Sequence, residues 1–98
     1  MAMTPEGKVK KRCVSVLKEY GAYQFFPVAS GYGRVGIPDI IACMRGKFLA
    51  IECKAGKNVP TLLQEREIEA IKQAGGEAMV IREDNIDTLI AWLEKHNG

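Results

Sequence analysis

Residues 39–54 read DIIACMRGKFLAIECK, two apolar runs separated by Arg45-Gly46, which is the pattern of a β-hairpin with a two-residue turn. With Met44 facing Lys47 across that turn, counting outward sets Asp39 opposite Glu52. Facing Cβ atoms lie roughly 4.5–5.5 Å apart, a separation at which like charges destabilise a sheet, so the pairing calls for a compensating charge. Alternation along the second strand supplies one: Lys54 shares the face of Glu52, while Ile51 and Cys53 point the other way. Toward the turn the same face continues as Ile41, Cys43, Phe48 and Ala50. Because both faces of the hairpin are mainly apolar, it is expected at the centre of a sheet with helices covering each side.

Two carboxylates at this spacing suit a hard divalent cation such as Mg²⁺ or Mn²⁺, which takes oxygen ligands and keeps several waters. A lysine beside them can orient a nucleophilic water or offset charge developing on a phosphate. An Asp39–Lys54–Glu52 ion-pair cluster on the surface, with no metal, fits the same spacing.

Upstream, SGYGRVGIPDI at 30–40 holds a literal G-x-G-x-x-G at Gly31, Gly33 and Gly36. A dinucleotide site needs those glycines to run into a helix whose N-terminus receives the pyrophosphate. Here Pro38 and a strand follow, and no G-x-x-x-x-G-K-[ST] occurs, so neither nucleotide motif is present. The stretch is either a solvated mobile loop or a segment that wraps, with Arg34, against a phosphate backbone.

Further out, Thr4-Pro5 starts a helix over about residues 5–20, with Val9, Cys13, Val16, Leu17 and Tyr20 on one stripe and Gly21 at its end. YQFFPV at 23–28 reads as an outer or irregular strand because of Pro27. Thr61 caps a helix through LLQEREIEAIKQA, which Gly75-Gly76 terminates. EAMVIR is a strand, and NIDTLIAWLEK is an amphipathic helix capped by Asn85 or Asp84, with Trp92 on the sheet. The order is α-β-β-β-α-β-α.

A chain of 98 residues supports one core, so residues 1–98 read as a single domain. The 47% apolar and 27% charged fractions are those of a soluble globular protein, and no run is long enough for a membrane helix. The first residues, MAMTPEGKVKK, lack an apolar h-region, so the chain is expected in the cytoplasm. Cys13, Cys43 and Cys53 are odd in number and set in apolar runs, as expected for buried reduced thiols. The net charge of +2 identifies no partner, although Lys8, Lys10, Lys11, Arg12 and Lys18 crowd the first helix and give the molecule a basic side.

Two more residues bear on the hairpin. Glu6 falls within about 20° of Cys13 on a helical wheel, on the apolar stripe, where a carboxylate needs a partner; a first-turn glutamate favoured by the helix dipole explains it equally. Gln64 shares a face with Ile68 and Ile71, either as a member of the same site or as a peripheral amide bonded to backbone.

GIPDII, IECK and Gln64 together resemble the PD-(D/E)xK nuclease superfamily, specifically its VRR-NUC branch. The elements are Pro38-Asp39 preceded by Gly36, then Glu52-Cys53-Lys54, then Gln64, with the helix carrying Glu6 in front, and the resemblance spans essentially the whole chain. It implies a restriction-endonuclease-like α/β core with a mixed central sheet flanked by helices. It also implies divalent-metal-dependent hydrolysis of DNA, with Asp39 and Glu52 holding Mg²⁺ or Mn²⁺, Lys54 positioning or activating the water, and Glu6 and Gln64 completing the site. Stand-alone members of the branch resemble four-way (Holliday) junction resolvases and tend to be homodimers. On that reading Arg34, Lys8, Lys11, Arg12 and Lys57 contact the DNA backbone, and branched DNA is recognised by shape. A non-specific or nicking nuclease, and a non-catalytic DNA-binding module on the same fold, are the competing readings.

Overall fold

The computed structural model describes residues 3–28 and 35–98, so Gly31, Gly33 and Arg34 lie outside the described residues. The elements follow the expected order: α1 (Pro5–Glu19), β1 (Tyr23–Phe25), β2 (Ile40–Met44), β3 (Lys47–Cys53), α2 (Leu62–Gln73), β4 (Glu77–Ile81) and α3 (Ile86–His96). The hairpin has the register read from its turn, from Met44 against Lys47 to Ile40 against Ile51. Arg45 and Gly46 both have positive φ, 51° and 83°, the combination that lets a two-residue turn match the twist of its strands.

The sheet runs β1-β2-β3-β4, antiparallel except for the parallel β3–β4 pair that α2 connects. Short β1 sits at an edge, as Pro27 requires, and β2 and β3 are central. Thr4 caps α1, its Oγ1 accepting from the Gly7 N–H at 3.0 Å. The α1 stripe of Val9, Cys13, Val16 and Leu17 then packs with Leu89 and Leu93 of α3 on the sheet face made by Ile40, Ala42, Met44, Leu49, Ile51 and Cys53. Each such aliphatic side chain contributes roughly 1.5–3 kcal/mol on burial, so this single face carries the core.

The opposite face departs from the two-sided cover expected of it. Helix α2 lies mainly against β4 and has no buried residue, so Tyr23, Phe25 and Phe48 stay exposed, Phe48 by 44%. Cys43 is exposed there too, whereas Cys13 and Cys53 are buried as free thiols. Asn85 occupies the N-cap position of α3 without capping it. Its side chain turns back instead, accepting from the Arg82 N–H and donating to the Val80 carbonyl, which ties the helix start to β4. Trp92 is half-buried at the core margin, its ring 4.6 Å from that of His96. Among the described residues no helix is long and apolar enough to cross a membrane.

Candidate active site

Because β3 is flanked by β2 and β4, the residues at its end are drawn inside: Glu52 is 2% exposed and Lys54 9%. The Lys54 N–H donates to the Ile81 carbonyl at 3.0 Å, continuing the β4 ladder past the end of the strand and holding the lysine beside Glu52. Its Nζ lies 3.6 Å from Glu52 Oε2. The other carboxylate oxygen, Oε1, is buried with no hydrogen-bond partner among the described residues. Burial first, and the charge of Asp39 second, push the Glu52 carboxyl up to about 7 despite the opposing pull of Lys54.

Asp39 stands immediately before β2, across from this end of β3. Its Oδ2 accepts from the Cys53 N–H at 2.8 Å, so the carboxylate reaches over the strand pair, and no hydrogen bond to its second oxygen is found among the described residues. Glu6, half-buried in the first turn of α1, adds a smaller electrostatic push on Glu52. It lines one cavity of about 170 Å³ with Asp39, Lys10 and Cys53, and a larger one of about 670 Å³ with Ala55, Lys57, Asn58 and Glu83. Asp39, Glu52 and Lys54 thus lie together at the open end of the hairpin, and Glu6 lines a cavity with Asp39.

The surface ion-pair reading does not describe this cluster. Glu52 and Lys54 are buried, the Asp39 charge acts on Glu52, and one Glu52 oxygen is orphaned among the described residues, an arrangement that costs free energy unless a further positive group arrives. A hard divalent cation fits that demand, with Asp39 and Glu52 as its oxygen donors. Among the described residues no set of three or more His, Cys, Asp or Glu side chains converges on one point, so the remaining positions would be filled by water, as suits Mg²⁺.

Gln64 is not brought to the carboxylates by any hydrogen bond found. Its Oε1 accepts from the Thr61 N–H at 2.9 Å while the Gln64 N–H donates to Thr61 Oγ1, a reciprocal capping box that starts α2. That start is pressed on Gly36, where a Cβ would sit 2.6 Å from the Leu63 carbonyl carbon and oxygen and 2.8 Å from the Gln64 nitrogen. Gly36, with φ +82°, therefore joins the entry of β2, and with it Asp39, to the first turn of α2.

Lys8, Lys11 and Arg12 are exposed on α1 and line a shallow cavity of about 370 Å³ with Met3 and Ser15. Lys57 is exposed on the rim of the larger cleft beside Glu6. Arg34 lies outside the described residues. Sequence reasoning missed the support of the loop after Lys54: Gly56 N–H donates to both Glu83 carboxylate oxygens at 3.0 and 3.1 Å, and Arg82 donates to the Asn58 carbonyl at 2.6 Å. Hydrogen bonds from its own N–H and from Gly56 hold the Glu83 carboxyl below its ordinary range. The partners lie far apart in the chain, so no local pattern announces them. Cys53 contacts Cys13, and that contact together with burial raises its thiol pKa, keeping it protonated.

A family model described as archaeal Holliday junction resolvase (Hjc) matches residues 4–80. "Putative nuclease p44" of Acyrthosiphon pisum secondary endosymbiont phage 1 is 30% identical over 93 residues, 92% of this chain and 96% of that protein. Among solved structures, a VRR_NUC domain superposes with a TM-score of 0.75 at 26% identity, covering 91% of this chain and 97% of that one. Archaeoglobus fulgidus Hjc, a Holliday junction resolvase from an archaeal hyperthermophile, aligns with a TM-score of 0.54 at 26% identity, over 76% of this chain and 65% of its own.

Proposed function

This chain belongs to the archaeal Holliday junction resolvase family, with the fold of a VRR-NUC nuclease, and from that premise we propose that it hydrolyses phosphodiester bonds of branched DNA, four-way junctions foremost, using one or two divalent cations. The observation that carries the metal dependence is the orphaned Glu52 Oε1, buried beside Asp39 and Lys54. Asp39 and Glu52 would hold Mg²⁺ or Mn²⁺. A cation bound there supplies Lewis-acid stabilisation of charge on the phosphate and lowers the pKa of bound water.

The chain's own residues do the rest. Lys54 orients the attacking water and offsets charge as the water oxygen bonds to phosphorus and the P–O ester bond breaks, the leaving oxygen taking a proton. Glu6, on the helix face that closes the cleft, orders water on the side away from Lys54. Gln64 acts at one remove, fixing the start of α2 against Gly36 and so the position of Asp39. Lys8, Lys11, Arg12, Arg34 and Lys57 meet the DNA backbone, and with such contacts shape decides the substrate more than base sequence does.

Two copies act together in this reading, since a four-way junction offers two equivalent strands to cut. Toward the hairpin turn, Tyr23, Phe25, Ile41, Cys43 and Phe48 form an uncharged stretch of one sheet face, and exposed Glu65, Arg66, Glu69 and Lys72 of the neighbouring α2 alternate in sign. Antiparallel copies can pair such a helix acid to base across a two-fold axis, and the apolar face then closes on its symmetry mate. The experiment is a cleavage panel of labelled four-way, flap, single-stranded and linear duplex DNA in Mg²⁺ or Mn²⁺. Four-way DNA cut fastest supports junction resolution; equal rates on all would make the chain a non-specific nuclease.

A further inference from the structure

The cavity that contains Asp39 has a cation on its α1 wall that charge patterning alone did not separate from its neighbours. Lys10 lies one turn after Glu6, about 40° from it around the helix, whereas Lys8, Lys11 and Arg12 fall on other sides and are exposed. Lys10 is half-buried, and it lines the cavity of about 170 Å³ together with Thr4, Glu6, Gly7, Asp39 and Cys53. Its Nζ is 4.2 Å from the centroid of the Phe26 ring. An aromatic face attracts an ammonium group and fixes its place without cancelling its charge. Lys54, by contrast, is committed to Glu52 at 3.6 Å. Among the described residues no carboxylate oxygen is found within ion-pair distance of Lys10.

We propose that Lys10 is a second catalytic lysine, one that touches the scissile phosphate, and that Phe26 is the positioning residue that holds it there. This rests on the reading of Asp39, Glu52 and Lys54 as the phosphodiester-cleaving centre. A phosphate seated over Asp39 and Glu52 would have Lys54 on the β3 side and Lys10 on the α1 side. The Lys10 ammonium donates to a non-bridging oxygen, on which negative charge grows as water attacks. A preorganised donor aimed at developing charge lowers the barrier more than it strengthens ground-state binding.

The test measures kcat and KM on the best-cleaved DNA in Mn²⁺ for wild type, Lys10→Met, Lys10→Arg, Phe26→Leu and the Lys10→Met/Phe26→Leu double variant, with Glu52→Gln alongside and melting curves confirming folding. Lys10→Met is expected to lower kcat on the order of 10²-fold with KM nearly unchanged, and Lys10→Arg to recover most of the loss. Phe26→Leu should cost less, and nothing further once Lys10 is gone, because the two act as one unit. Wild-type kcat in Lys10→Met, or a change in KM alone, overturns the contact with the scissile phosphate. Multiplicative losses in the double variant overturn the role of Phe26. Should Glu52→Gln cleave as wild type does, the centre itself is misread; an inactive Glu52→Gln with an unaffected Lys10→Met removes Lys10 alone.

Discussion

Asp39 Oδ2 accepts from the Cys53 N–H at 2.8 Å, so the carboxylate from one side of the hairpin is fixed by the backbone that connects Glu52 to Lys54. An asparagine at position 39 can still accept that hydrogen bond through its carbonyl but carries no charge. Asp39→Asn should therefore keep the metal-free melting temperature close to wild type while losing most of the rise that Mn²⁺ gives, since a ligand that binds only the native state stabilises it by mass action. Thermal melts with EDTA and with Mn²⁺ measure this. Equal shifts in both proteins would remove Asp39 from the cation site.

The Glu52 carboxyl, pushed from 4.5 to about 7 by burial and by Asp39, sets a pH dependence. An acid whose pKa is raised on folding contributes stability that is fully present below about pH 4.5 and is lost as pH climbs through about 7. The size is on the order of 3 kcal/mol, from about 1.4 kcal/mol per unit of pKa shift. Urea unfolding in EDTA should show this group's contribution falling from pH 5 to pH 8, and Glu52→Gln should flatten the difference. Mn²⁺ has to displace the same proton, so its stabilising effect should grow over that range. A wild-type profile no steeper than that of Glu52→Gln contradicts the raised pKa.

Gly36 couples the entry of β2 to α2 through a backbone contact with no room for a Cβ. Gly36→Ala has to push the first turn of α2 away and also holds alanine at positive φ, a strain worth roughly 1–3 kcal/mol. The urea midpoint should fall, and cleavage should fall further because Asp39 moves with the displaced segment. Gly21 and Gly46 also have positive φ but meet nothing within 4 Å, so alanine there should cost stability alone. A Gly36→Ala protein with an unchanged midpoint would show that the contact is not fixed in solution.

Phe48, 44% exposed on the uncharged stretch of the sheet near the hairpin turn, belongs to the surface proposed to meet the second copy. Sedimentation should report a dimer for wild type and a folded monomer for Phe48→Glu. A wild type that stays monomeric even on four-way DNA contradicts the paired reading.

The hairpin was legible because one turn assignment fixes every pairing along it and so brings Asp39 and Glu52 together beside Lys54. The helix starts at Thr4 and Thr61 were equally local, each a hydroxyl ahead of a helical run. What escaped the sequence was partly non-local and partly a choice among competing local hydrogen bonds. Alternation shows that Cys43 and Phe48 share a face, but not that α2 would settle on β4 and leave that face open. Asn85 looks like a cap from its neighbours, yet the better bonds lie behind it at Arg82 and Val80. Gln64 has the position of a site residue, and only the reciprocal hydrogen bonds with Thr61 show its amide oxygen to be taken. Lys10 differs from the adjacent lysines by its contact with Phe26, sixteen positions away, which no helical wheel contains.

The role proposed for Asp39 and Glu52 is to hold a divalent cation with which the chain cuts DNA. Its most direct measurement is the Mn²⁺-dependent cleavage rate of a labelled four-way junction by wild type and by Glu52→Gln, at protein concentrations giving equal DNA binding. Wild type is expected to cut only when the cation is present. Glu52→Gln is expected to bind the junction and leave it intact. Cleavage by Glu52→Gln at the wild-type rate, or cleavage by wild type undiminished in EDTA, would contradict it.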